Sequence, residues 1–308
     1  MLLITVGDIA RDQLAGAGID AVALVWRDIL HEGPVPAGLD LPALSQVRAG
    51  FVAAAGWAPA AEAAADFTAR DQALAGFPEH DETLLFFDHN LVNQLQLAQL
   101  LDWFAVGARA DRAKLSLALV PSFAAAGPDE LLAAYQARTA VDHGLLDLGQ
   151  AAWAAFRSPD PTTVEAVLPA CASLLAPLGD ALRRHLEQFP GAGDGLARTE
   201  RQALAALAAG PADLAELMQA QIEAETLPFL GDTVLLGHLG RLAAATHPIV
   251  RAVTQQRWVL TDVGADVLAG RADHAALNDL DHWLGGVHLT GTDPAWRWDA
   301  DAGRLRPV

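Results

Sequence analysis

Four apolar runs in the first 120 residues each end on a small or polar group, and this pattern constrains the fold more than any other feature. Leu2–Val6 leads into Gly7-Asp8, and Ala21–Trp26 into Arg27-Asp28 followed by His31-Glu32-Gly33-Pro34. Leu84–Phe87 leads into Asp88-His89-Asn90, and Leu115–Val120 into Pro121-Ser122. Short apolar runs without alternation are the mark of strands buried on both faces, as in a parallel sheet. In open sheets of that kind, ligands bind beyond the carboxyl ends of the strands, where the strand order reverses. The pattern therefore predicts that Asp8, Asp28, His31, Asp88, His89 and Asn90 collect along one edge as a site.

Helical segments separate the runs. Ile9–Ala17 is closed by Gly18, Leu41–Ala55 and Ala60–Ala75 are parted by Gly56 and Pro59, and Leu91–Phe104 carries a broad leucine face. Strand and helix in alternation predict right-handed crossovers and a Rossmann-like parallel-sheet domain over residues 1–125. Residues 126–192 read as a helical segment, opening at Pro128-Asp129-Glu130. Pro190-Gly191-Ala192-Gly193-Asp194-Gly195 reads as a linker.

Beyond it, Thr199 and Gln202 have the spacing of a capping box. Helices over 199–209, 213–225 and 232–245 then precede two short strands, Ile249–Val253 and Trp258–Leu260, around Thr254-Gln255-Gln256-Arg257. Three helices followed by a β-ribbon predict a winged-helix-like domain over 193–308, ending in an aromatic-rich hairpin. The fold class expected is α/β plus α.

Composition narrows the function. Among 308 residues, 52% are hydrophobic, ample for real cores, and the net charge is −18. Such a surface repels phosphate backbones, so broad nucleic-acid binding is not expected. The third helix of the winged-helix-like part offers base edges only Arg241 and His238 beside Leu, Gly and Ala, which favours a packing or homodimerisation module. Arg241, Arg251 and Arg257 would have to form one basic face for it to touch DNA. The lone Cys171 excludes an internal disulfide and a cysteine metal site, and reads as a buried structural thiol. No apolar stretch has membrane-spanning length and no secretory leader precedes Gly7-Asp8, so a cytoplasmic location without membrane contact is expected.

Candidate chemistry concentrates at the strand ends. Gly7 can let a ligand approach the backbone. Asp8 either caps a helix starting at Ile9 or binds a cation or ligand hydroxyl. His31 can act as general acid or base, oriented by Asp28 or Glu32, with Gly33 closing the turn; a polar surface loop is the plainer reading. Asp88 or Asn90 caps the next helix, and Asn90, Asn93 and Gln94 share its first turn, suited to a polar ligand. The catalytic candidates are thus His31, Asp88 and His89. The ligand-binding candidates are Gly7, Asp8, Asp28, Glu32, Gly33, Asn90, Asn93 and Gln94. Two His and three Asp on one edge could also bind a divalent metal, but the spacing matches no metal motif, so no metal is assigned, and no cofactor is identified. Gly-x-Gly-x-x-Gly, P-loop, Gly-x-Ser-x-Gly and His-Glu-x-x-His motifs are all missing. The expectation is a small polar or nucleotide-like ligand at the strand edge. A ligand-sensing regulator or an interaction scaffold is the alternative.

Val6-Gly7-Asp8, Asp28–Pro34, Leu85–Asn90 and Asn93–Leu97 together resemble a bacterial domain of unknown function, the family numbered eighteen thirty-five. The resemblance extends through Ala152–Pro159, Arg198–Gln202 and Trp283–Gly286, and so covers most of the chain. It implies the architecture and no activity. At Asn93 the chain departs from the pattern, where an acidic residue is expected.

Overall fold

The structure, a computed structural model, describes residues 1–106, 109, 114–254 and 257–308. Gln255 and Gln256 of the expected turn lie outside the described residues. The chain divides into two compact units, Met1–Leu182 and Arg183–Val308.

The first unit is a mixed α/β structure. Its chain order is β1 (Leu2–Val6), α1 (Gly7–Gly16), β2 (Val22–Trp26), α2 (Leu41–Ala54), α3 (Ala60–Ala75), β3 (Thr83–Asp88), α4 (Leu91–Ala105), β4 (Leu115–Val120), α5 (Pro128–Gln136), β5 (Thr139–Ala140), α6 (His143–Phe156) and α7 (Thr162–Leu174), with α8 (Ala176–Leu186) crossing the boundary. The five strands lie in the order β2-β1-β3-β4-β5. The first four are parallel and β5 runs antiparallel to β4. The region expected to be wholly helical is therefore interrupted by Thr139-Ala140, where the chain adds a short edge to the sheet.

All six residues of β3 are buried, as a central strand covered on both faces requires. On one face Leu3, Leu84, Phe86 and Val120 pack with Ala10 and Leu14 of α1 and Leu131 of α5. Register brings Val6 level with Trp26, and Asp88 level with Val120, so the strand ends finish along one edge. The order reverses between β1 and β3. That is the switch point at which open sheets leave a crevice.

The second unit contains α9 (Arg198–Ala208), β6 (Ala212–Asp213), α10 (Leu214–Ala224), α11 (Asp232–Ala244), β7 (Val250–Ala252), β8 (Arg257–Leu260), α12 (Asp262–Leu268), α13 (His274–Leu277) and β9–β12 (Leu280–Leu284, Val287–Gly291, Trp296–Asp299, Arg304–Pro307). β6, β8 and β7 form a small antiparallel sheet. The tail makes two ribbons, β9 with β10 and β11 with β12, where the sequence suggests one hairpin. Trp296–Asp299 takes Arg304–Pro307 as its partner, a stretch too charged to read as a strand.

Two further expectations are corrected. Residues 190–195 are not a linker. Asp194 is buried and pairs with Arg201, its carbonyl accepts from the His274 amide, and Gly195 packs so tightly that a Cβ would meet the Ala275 nitrogen at 2.5 Å. The cap of α9 falls on Ala197, two residues before Thr199. Glu200 Oε2 accepts from the Ala197 amide (3.0 Å), while Thr199 is buried and donates to Gln188 Oε1 (2.9 Å). Burial opposes ionisation of Glu200, but the hydrogen bond from His238 and the charge of His274 outweigh it and hold the carboxyl far below its ordinary range.

Candidate functional site

At the switch point an open crevice of about 630 Å³ is lined by Gly7, Asp8, Asp28, Asp88, Asn90 and Asn93 among the residues anticipated from sequence. Arg27, Gln13 and Gln96 complete its polar wall, and Ile9 and Phe123 are apolar parts of it. His31, Glu32, Gly33, His89 and Gln94 do not line it. The strand-end signal thus converges on one place, where six of the eleven residues it marks arrive.

At the end of β1 the chain turns into α1 without a loop. Gly7 makes the turn at φ 58°, and a Cβ there would meet no atom within 4 Å, so the backbone is open towards the crevice. The helix starts at Gly7, with Val6 as a cap that offers no side-chain acceptor, rather than at Ile9 with Asp8 as cap. Asp8 occupies the first helical turn. It pairs with Arg11 at 2.7 Å and with Arg27 at 2.5 Å.

The segment after β2 is held from within. Asp28 and Arg48 of α2 are both fully buried and form a forked pair, with Nη2 and Nε of Arg48 at 2.7 and 3.0 Å from Asp28 Oδ1. The remaining guanidinium hydrogens go to the carbonyls of Glu32 (2.7 Å), Ile29 (2.9 Å) and Pro34 (3.3 Å). One guanidinium therefore ties down the loop that carries the His31 motif. His31 is only 1% exposed, and Gly33, at φ 74°, lies so close to Phe51 that a Cβ would fall 2.5 Å from its ring. Arg157 continues the clamp by donating to the carbonyls of Pro36 and Leu39. Neither Arg48 nor Arg157 is marked by a local motif. The nearest signal is the excess of loop carbonyls between Asp28 and Leu39, which need donors once the loop is buried.

After β3, Asp88 is a junction. Its Oδ1 accepts from the Asn90 amide (3.2 Å) and from Asn93 Nδ2 (2.5 Å), and its Oδ2 accepts from the Phe123 amide (3.1 Å). Asn90 is the cap of α4, with Oδ1 accepting from the Asn93 amide (3.0 Å). Buried glutamines tie α4 to the strand ends. Gln94 Nε2 donates to the Asp88 carbonyl (2.7 Å), Gln96 Nε2 to the Asp28 carbonyl (2.7 Å), and Gln99 Oε1 accepts from Trp26 Nε1 (3.0 Å). His89, off the crevice, is half-buried, and that burial pushes its imidazole below the ordinary histidine value against the opposing charges of Asp88 and Asp180. Among the described residues, no group of three or more His, Cys, Asp or Glu is arranged to hold a metal ion.

No family model matches the chain, and no curated protein matches it.

Proposed function

We propose that this protein binds a small polar ligand in the crevice between the ends of β1 and β3. One observation carries the reading: among the described residues, the reversal of strand order in the parallel part of the sheet coincides with an open backbone at Gly7 and a polar wall drawn from α1, the segment after β2, the end of β3 and α4. The parallel order β2-β1-β3-β4 with helical crossovers supports a Rossmann-like reading of this unit and agrees with the resemblance to the family numbered eighteen thirty-five. Gly7, Asp8, Asn90 and Asn93 are the contact residues. Asp28 and Asp88 shape the wall from behind, since their carboxylates are occupied by Arg48 and by three N–H groups. Binding is the function assigned, because of the catalytic candidates His31 and His89 do not line the crevice and the Asp88 carboxylate already accepts from three N–H groups.

A thermal-shift screen of nucleosides, sugars, amino acids and divalent metals tests this, followed by amide chemical-shift mapping in isotope-labelled protein. A stabilising compound is expected to move the Gly7, Asp8 and Asn93 amides first. Shifts confined to residues beyond 182 would refute the site.

The second unit supports a second reading, as a winged-helix-like interaction module. Its order of helix, strand, helix, helix and two strands, with β6-β8-β7 as the ribbon, is that of such modules. Two of its candidate DNA contacts are engaged internally. Arg241 donates to His238 (2.9 Å), and Arg257 bonds the Pro211 carbonyl and pairs with Glu216. That favours a protein partner or a second copy over DNA.

A further inference from the structure

We infer that the crevice ligand meets the first turn of α4 through an uncharged edge with neighbouring hydrogen-bond donor and acceptor, the chemistry of a nucleobase or a primary carboxamide. The inference rests on the reading of the crevice as the binding site and specifies what binds there.

Charge comes first. A helix N-terminus draws an anion, but both helices that open on the crevice already carry one. Asp88 accepts the Asn90 amide at the start of α4, and Asp8 stands in the first turn of α1. The cation of the wall, Arg27, is spent on Asp8 at 2.5 Å, and Asp28 is matched by Arg48. A phosphate or carboxylate arriving here gains no unmatched positive charge, and at the start of α4 it meets Asp88, which among the described residues pairs with no arginine.

Hydrogen-bonding capacity then decides the class. Asn93 is 6% exposed. Its Nδ2 is committed to the Asp88 carboxylate, which only accepts, so the orientation of the amide is fixed. Its Oδ1 accepts nothing from the described residues. Asn90 is the converse case. Its Oδ1 is committed to the Asn93 amide, and its Nδ2 donates to none of the described residues. The cap and the first turn of α4 bring the two side chains together, since Asn90 Oδ1 accepts from the Asn93 amide itself. Together they leave one fixed acceptor and one donor at the crevice wall. A partner that satisfies both carries an N–H beside a carbonyl or ring nitrogen. Ile9, 78% exposed on the crevice rim, offers apolar surface to the flat face of such a group.

Isothermal titration of the full chain with adenosine, guanosine, cytidine, uridine, nicotinamide and inorganic phosphate tests the inference. Asn90→Ser is the informative variant. It keeps an oxygen to cap α4 but removes the Nδ2 donor, so folding is retained. At least one nucleoside, or nicotinamide, is expected to bind, and Asn90→Ser to weaken it about tenfold, as loss of one buried donor does. A base and a carboxamide are told apart by which probes respond. Asn90→Asp, isosteric with acceptor in place of donor, is expected to weaken binding further at unchanged melting temperature. Binding of phosphate alone, no binding by any probe, or binding untouched by both variants overturns the inference. Phosphate binding blocked by a bulky adduct at Ile9→Cys would overturn it while leaving the crevice as the site. Nucleoside binding that such an adduct does not affect would remove the crevice reading itself.

Discussion

Arg48 does more to shape the region around the site than any residue the sequence marks. Its guanidinium neutralises the buried Asp28 and holds the carbonyls of Ile29 and Glu32, so it sets the path of the chain from β2 to α2. Replacing one partner of such a pair strands the other charge in the interior, at a cost of about 3–5 kcal/mol. Arg48→Met is expected to lower stability by that amount in urea denaturation, and a loss under about 1 kcal/mol would contradict a structural pair. Gly33→Ala combines a left-handed backbone with a Cβ driven into Phe51, and is expected to cost roughly 1–3 kcal/mol by the same measurement. The aspartates and glycines at strand ends are visible in the sequence because they interrupt apolar runs. Their roles are not visible. Asp28 reads as a ligand group until its partner, twenty positions away with no local signal, is placed beside it. The His31 motif likewise reads as a general acid or base or as a polar surface loop, and the burial of His31 has no mark in the sequence.

At the scale of elements, the four parallel strands and most helices follow from local pattern, because burial on both faces and helix period leave strong marks. β5 was hidden, since two residues carry no periodicity. Its approach to the sheet is fixed by a pair just before it. Arg138 Nε lies 2.8 Å from Glu82 Oε1, and Ser116 donates to the same oxygen, so the start of β3, β4 and the approach to β5 are joined. The hydrogen bond from Arg138, reinforced by Ser116, lowers the Glu82 carboxyl from 4.5 to about 2. The native state then binds fewer protons than the unfolded chain between those values. The stability Glu82 contributes is full above the unfolded value and is lost as pH falls towards about 2. Glu82→Gln is expected to be less stable than wild type at pH 7, with the difference shrinking below pH 4.5. A difference constant between pH 7 and about pH 3 would rule out the pair as its source.

For the whole molecule, the net charge of −18 sets the partners it can approach. Gel-shift titration with genomic fragments at about 0.15 M salt is expected to show no retention. Retention with a steep salt dependence would instead require Arg241 and Arg257 to leave their present partners and act with Arg251 as one basic face. No helix among the described residues is long and apolar enough to cross a membrane. The division into units at 182–183, within α8, was not legible. The Gly- and Pro-rich stretch at 190–195 has the composition of a linker. Composition does not reveal that Asp194 and Gly195 are packed against Arg201 and Ala275.

The most direct test of the crevice as the binding site uses the chain's single cysteine. Cys171 is fully buried, and burial pushes its thiol up, so a maleimide reacts preferentially at a new cysteine on the surface. Ile9→Cys places that group on the crevice rim, and its melting temperature is measured with each stabilising compound before and after labelling with a bulky maleimide. The stabilisation is predicted to be present in the unlabelled variant and lost in the labelled one, with folding unchanged. Stabilisation of equal size in both would contradict the central claim.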